Sequence, residues 1–469
     1  MAEHSLSRAI AELAADVTAD RLPAAVVSST RMRVLDTLGL ALRARDLDTS
    51  QAVIGYVADQ GGRPEATGIG LQQRVPAALA GLVNGTLAHS LDYDDTHLPS
   101  VLHPSAAVVP AALAAAEAAG SSGAELVAAV AVGLETCVRI GMAGYDEEAG
   151  NSTYFEHGQH ATSICGALGG AVSAAMLLGL DTDGIQSSLG VAASMASGII
   201  EANRTGGTVK RVHCGWAAHS AVTAAHLVHR GITGPPTALE GRFGFFQAFL
   251  HGTFDGEQVT RGLGEEWAVP GIFFKPYPAN HFTHTTVDAA AELRRQGVAP
   301  ADVESIVVGV PAPVIRTIGE PIEVKRSPET GYQAQFSAPY AVTVGLLGGG
   351  GLGAGLDDYT DELARDPGRR DLMAKVSVVP DDTCTGIFPY QFPAVLTARL
   401  HDGRTLTVDV LTNRGGNERP LTDDEVGSKF ADNAGAVIPA EDVAALRSAV
   451  LDLDHLDDVR TLLAPLGGS

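Results

Sequence analysis

Acid–base side chains crowd one stretch of this chain, His89-Ser-Leu-Asp-Tyr-Asp-Asp-Thr-His97, followed closely by His103-Pro-Ser105. Imidazoles and carboxylates at this density can exchange protons near neutral pH, ligate a divalent ion, or end a helix in a polar loop. Asp94 and Asp95 are adjacent and diverge on regular backbone, and no His-Glu-x-x-His helix motif occurs. No metal site is therefore expected, and these two aspartates read as capping or loop residues.

Three His-x-x-His pairs follow, His157/His160, His226/His229 and His281/His284. Spacing of three places two rings on one face of a helix. His160 stands apart because it precedes the uncharged run Ala161–Leu180. A histidine at the start of a buried helix loses proton affinity, and its neutral ring can accept a proton.

Two lysines contrast with their surroundings. Lys210 and Arg211 precede His213 and follow Gly206-Gly207, a basic knot where bare backbone can approach a ligand. Lys275 lies in Phe273-Phe-Lys-Pro-Tyr-Pro278, ahead of Asn280-His-Phe-Thr-His284. A cation stiffened among aromatics and prolines suits a carboxylate or a developing negative charge; the alternative is a lysine that snorkels from a domain junction. No Gly-x-Ser-x-Gly elbow occurs, and no Gly-x-Gly-x-x-Gly follows a strand.

The elements that must hold these groups change in texture along the chain. Ala106–Ala119, Gly123–Ile140 and Trp216–His229 carry apolar residues at helical spacing. After Pro270, strand patterns appear at 303–310 and 374–379, and His401-Asp-Gly-Arg404 joins 395–400 to 405–410 as a hairpin. Helix is expected over 331–347, 357–365, 423–430 and 441–451. The chain is thus expected to be mainly α, a large all-α helical domain built from both chain ends (1–266 and 412–469) with an inserted smaller α+β lid domain over 267–411.

Composition sets bounds on partners. With 32 Lys and Arg against 55 Asp and Glu, the net charge is −23, which disfavours nucleic acid and anionic membrane surfaces. The four cysteines are widely spaced, as in a reducing cytoplasm. Ala161–Leu180 is long enough to span a bilayer. Its glycines and serines, and the similar run 187–200, instead suggest buried helices packed closely together, so no membrane partner is expected. The N-terminus lacks the pattern of a secretory signal, and a cytoplasmic location is expected.

The segments Asp36-Thr-Leu-Gly39, Asn84 to Thr96, His103-Pro-Ser105, Gly215-Trp-Ala-Ala-His219, Glu240 to Phe245 and Lys275-Pro-Tyr-Pro278 resemble the MmgE/PrpD family. That family includes 2-methylcitrate dehydratases, cis-aconitate decarboxylases and an iminodisuccinate epimerase. The resemblance extends over nearly the whole chain. It implies a helical domain with a smaller α+β lid, a homodimer, and no metal or organic cofactor. It further implies an active-site aspartate at Asp92, histidines at His103 and His160, and lysines at Lys210 and Lys275. Where the decarboxylases carry a histidine five residues after the second lysine, this chain has Asn280, with His281 and His284 as neighbouring candidates for substrate binding alongside Arg211. The expected activity is a lyase reaction on a small di- or tricarboxylate, dehydration before decarboxylation. An epimerase of an amino- or hydroxy-polycarboxylate and a silent carboxylate-binding paralogue are the alternatives.

Overall fold

The computed structural model describes residues 5–148 and 150–466, apart from the side chains of residues 203 and 204. The chain is mainly α and forms two compact units. One takes the described residues up to Ile272 and those from Phe430 onward; the other is Phe273–Lys429.

The first unit is helical. In chain order it contains α1 (Leu6–Asp16), α2 (Ala24–Ala44), α3 (Asp48–Gln60), α4 (Ala77–His89), α5 (Ser105–Ala119) and α6 (Gly123–Ala143). After the two-residue strands β1 (Tyr145–Asp146) and β2 (Asn151–Ser152) come α7 (Thr153–Glu156), α8 (Ala161–Leu177), α9 (Thr182–Met195), α10 (Ala202–Thr205) and α11 (His213–His229). Helices α4, α5, α6, α8 and α11 pack mutually as its centre.

Their alanine and glycine content explains how closely they approach. A Cβ on Gly215 of α11 would lie 2.2 Å from the Leu82 carbonyl oxygen of α4, and one on Gly169 of α8 would lie 2.4 Å from the Gly133 oxygen of α6. Helix α6 starts at a capping box, with the Ser122 hydroxyl accepting from Glu125 N at 3.3 Å and the Glu125 carboxylate accepting from Ser122 N at 2.7 Å. It is the one described helix long and apolar enough to cross a bilayer, and 94% of its apolar window is buried within the fold. Helix α8 is shorter than the uncharged run and is also buried. The run 187–200 is only partly helical, since α9 ends at Met195 and Ala196 is already extended.

The second unit is built on a four-stranded sheet ordered β4-β3-β5-β6, from β3 (Val303–Val310), β4 (Val376–Pro380), β5 (Ala394–Leu400) and β6 (Thr405–Val410). Strands β3 and β4 are parallel with Ile306 opposite Val376; β5 runs antiparallel to β3 and β6. Ala289, Ala290 and Leu293 of helix His284–Arg295, with Val342 and Leu346 of helix Ala338–Leu347, cover the apolar face of the sheet. The single helix expected over 331–347 is two. Gly331–Ala334 ends before Ser337, whose hydroxyl accepts from Tyr340 N at 3.1 Å and starts Ala338–Leu347 with Pro339 in its first turn.

This unit extends past the hairpin because the returning chain is tied into it. The Asn413 amide oxygen accepts from Phe392 N at 2.6 Å, and the Gly415 carbonyl accepts from Phe274 N at 3.0 Å. Gly215→Ala is expected to destabilise the protein by about 1–3 kcal/mol through overpacking of α11 on α4, read as a lower melting temperature in a thermal scan.

Candidate active site

Four helix ends in the first unit carry histidines into one cluster. His89 is the last residue of α4, His103 stands two residues before α5, His160 is the N-cap of α8, and His213 begins α11. Ring centroids are 5.5 Å apart for His89 and His103, 5.5 Å for His89 and His160, and 5.0 Å for His160 and His213. Three of the four ends are helix N-termini, whose free N–H groups and dipoles favour negative charge.

The local sequence explains how each ring is held. Ser163, in the first turn of α8, donates to the Ser197 and His213 carbonyls at 2.6 and 3.0 Å, tying the starts of α8 and α11 together. His160 N donates to the Gly198 carbonyl at 3.0 Å. The segment before α5 is anchored by Asp95, whose carboxylate accepts from Arg33 at 2.7 Å, from Ser105 N at 3.2 Å and from the Ser105 hydroxyl at 2.5 Å. Arg33 is fully buried and also donates to the Val269 and Ile272 carbonyls, at 3.0 and 2.6 Å.

Hydrogen bonding assigns the protons. His103 Nδ1 lies 2.6 Å from the Asp95 carbonyl oxygen, which can only accept. Nδ1 therefore carries a proton. His160 Nδ1 and His213 Nδ1 are 3.0 Å apart, so one donates to the other. His89 Nδ1 lies 2.6 Å from the Asp94 carboxylate, and that same oxygen is 4.0 Å from His103 Nδ1.

Burial, then the neighbouring His89 and Lys210, hold His160 well below the usual histidine range. Burial, His89 and Lys210 in the same order push His213 down to about 4. Both rings are thus neutral at pH 7. Lys210 lies half-buried in the turn Val209–Val212, and its charge reaches both. Arg211 is anchored to Thr49 Oγ1 at 2.9 Å. Asp92 is half-buried with φ 53°, a left-handed conformation that a side chain other than glycine rarely adopts and that concentrates at functional sites. Among the described residues no group of three or more His, Cys, Asp or Glu side chains is arranged to hold a metal ion.

The model of the MmgE/PrpD N-terminal domain matches residues 8–257, and that of the C-terminal domain matches residues 277–455. The chain belongs to the MmgE/PrpD family.

Curated MmgE/PrpD-like relatives align along most of their length. A cis-aconitate decarboxylase-like protein of Aspergillus oryzae is 27% identical over 471 residues, covering 95% of this chain and 94% of its own. The cis-aconitate decarboxylases of Mus musculus and Homo sapiens are 28% and 29% identical, covering 99% and 94% of this chain and 94% and 90% of theirs.

Of the residues expected from sequence, the first unit of this MmgE/PrpD protein brings His103 and His160 to one cluster, with Lys210 beside it. Lys275, Asn280, His281 and His284 belong to the second unit. Lys275 is 2% exposed, so it does not snorkel to solvent. The Asn280 side chain accepts from Phe282 N at 3.1 Å and caps a turn. His281 packs edge-on against Phe273 and Phe392, and His284 donates from Nε2 to the Ala279 carbonyl at 3.1 Å.

The structure bears out two further sequence expectations and corrects one. Asp94 and Asp95 lie in the loop before α5 as expected, and Asp95 accepts from Ser105 N at the start of that helix; both are in addition buried and paired, with His89 and with Arg33. His157 and His160 do not share a helix face, because α7 ends at Glu156, before both, and α8 starts at Ala161, after both. His281 and His284 do come together, with ring centroids 4.6 Å apart across the junction of a 3-10 turn and a helix. Sequence reasoning passed over His89, His213 and Arg33 as site residues. The signal available for the histidines was their place at the ends of apolar helices.

Two outcomes follow from this electrostatic arrangement. Asp95→Ala strands a buried guanidinium and is expected to cost about 3–5 kcal/mol, measured by urea unfolding. His97 is pushed down to about 4 by burial and the Arg33 charge, and His213 lies equally low. These groups bind more protons unfolded than folded below pH 6.5, so stability is expected to fall as pH drops from about 6.5 towards 4. Urea midpoints at pH 7.5, 6 and 5 check the sign.

Proposed function

We propose that this protein is a cofactor-independent lyase acting on a small di- or tricarboxylate, of the 2-methylcitrate or aconitate kind, by proton transfer at the carbon next to a carboxylate. The observation that carries this reading is the convergence of three helix N-termini on buried neutral imidazoles beside Lys210. An anion gains there from dipoles and a cation, while the rings remain free to accept protons.

In this reading Lys210 holds a substrate carboxylate and the charge that builds on it as the adjacent C–H bond breaks. His103 Nε2 takes the proton. His160, in its proton-sharing pair with His213, returns one to the departing group. Asp92 orients the substrate or serves as a further acid–base group. Dehydration suits the site because it requires two proton transfers, one at carbon and one at the leaving hydroxyl, and the cluster holds two separate proton-bearing arrangements. The names of the relatives favour decarboxylation of an aconitate as the second reading.

The test is incubation with 2-methylcitrate, citrate and cis-aconitate in the presence of chelator, followed by NMR in deuterated water. A new alkene with all carbons retained supports dehydration, and loss of carbon dioxide supports decarboxylation. Deuterium uptake with only a change of configuration indicates epimerisation and overturns the lyase reading. Lys210→Ala is expected to lower kcat/KM by about a hundredfold or more with an unchanged circular dichroism spectrum. Near-wild-type turnover in that variant would remove the anion site from this place.

A further inference from the structure

The reading above uses His103 and His160 and leaves the most enclosed imidazole of the cluster without a task. His89 is 4% exposed, and its Nδ1 faces the Asp94 carboxylate at 2.6 Å. A carboxylate accepts, so a proton of the ring sits on Nδ1. Nε2 is buried and has no hydrogen-bond partner among the described residues. An unmet polar atom in the interior is costly unless something uses it. The ring lies equally far, 5.5 Å between centroids, from His103 and from His160. The Asp94 carboxylate bonded to His89 stands 4.0 Å from His103 Nδ1, so its charge lies near both rings.

We propose that His89, oriented by Asp94, is a positioning residue that passes a proton between His103 and His160. This rests on the lyase reading and completes its proton balance. In dehydration the C–H bond breaks and its proton goes to His103 Nε2, while the electron pair forms the C=C bond. The C–O bond breaks, and the hydroxyl leaves as water with a proton from His160. His103 then holds one proton too many and His160 one too few. His89 Nε2 accepts the proton from His103, stands briefly as an imidazolium against Asp94, and releases it to His160. Nδ1–H remains on Asp94 throughout. One proton enters the relay and one leaves, so both rings return to their starting states without exchange with solvent.

Two variants separate charge from shape. Asp94→Asn keeps an oxygen that accepts from Nδ1–H and removes only the charge; His89→Gln removes the ring. In both, kcat is expected to fall about a hundredfold, as for the loss of a proton-transfer group, with KM within about threefold because the anion site is untouched. A kcat within about threefold of wild type in Asp94→Asn, or a loss confined to KM, overturns the relay.

A second readout does not depend on turnover. The groups around His160 are His89, His103, His213 and Lys210, with Asp94 behind His89. In His89→Gln the imidazole resonances of His160 are expected to titrate at higher pH than in wild type, because a neighbouring imidazole that can carry charge is gone. An unchanged titration overturns the coupling of His89 to His160. If the wild-type protein turns over none of the polycarboxylates, the lyase reading fails by that result alone, and the resonance shift still decides whether the rings are coupled.

Discussion

The buried pair of Arg33 and Asp95 is the constraint on which the histidine cluster depends. Neither side chain is more than 2% exposed. Such a pair gains little over a packed apolar contact, because each ion has lost its hydration. Its value lies in direction. The guanidinium fixes α2 to the carbonyls of Val269 and Ile272, and the carboxylate fixes the segment after α4 to the first turn of α5. The Asp95 carbonyl, held in place as a result, sets the tautomer of His103. Breaking either ion strands the other, so the anchor tolerates no partial loss.

Helix packing supplies the second constraint. Glycines let α4 meet α11 and α6 meet α8 at backbone distance, and this brings four helix ends close enough for their histidines to touch. The clustered histidines therefore sit at helix ends, where backbone groups are unsatisfied and the dipoles are strongest. Burial keeps His160 and His213 neutral, and the Lys210 charge reinforces that effect. An excess of 23 negative charges opposes a polyanion over its whole length. It has far less hold on a small anion, which meets only the charges nearest to it while the more distant ones are screened.

The helices of the first unit were legible because apolar periodicity and capping residues are local signals, as at Ser122 and Glu125. The hairpin at 401–404 was legible for the same reason, with Gly403 at φ 89°. The break before Ser337 was missed because a capping hydroxyl and a proline outweighed a continuous apolar pattern. His160 was legible because its charge-free neighbours announce burial. Asp94 and Asp95 were legible as loop residues, but nothing local reveals that their partners are His89 on one side and Arg33, more than sixty residues away, on the other.

By itself the sequence determined residue types, helical and strand periods, the overall charge, and a family resemblance borne by short motifs. Each of these depends on neighbours in the chain. Tertiary structure alone decided which imidazoles meet, which nitrogen bears the proton and which carboxylate is spent on an anchor. Those outcomes depend on distances of 2.5–5.5 Å between residues far apart in the chain. Only the packing of α4, α5, α8 and α11 sets them.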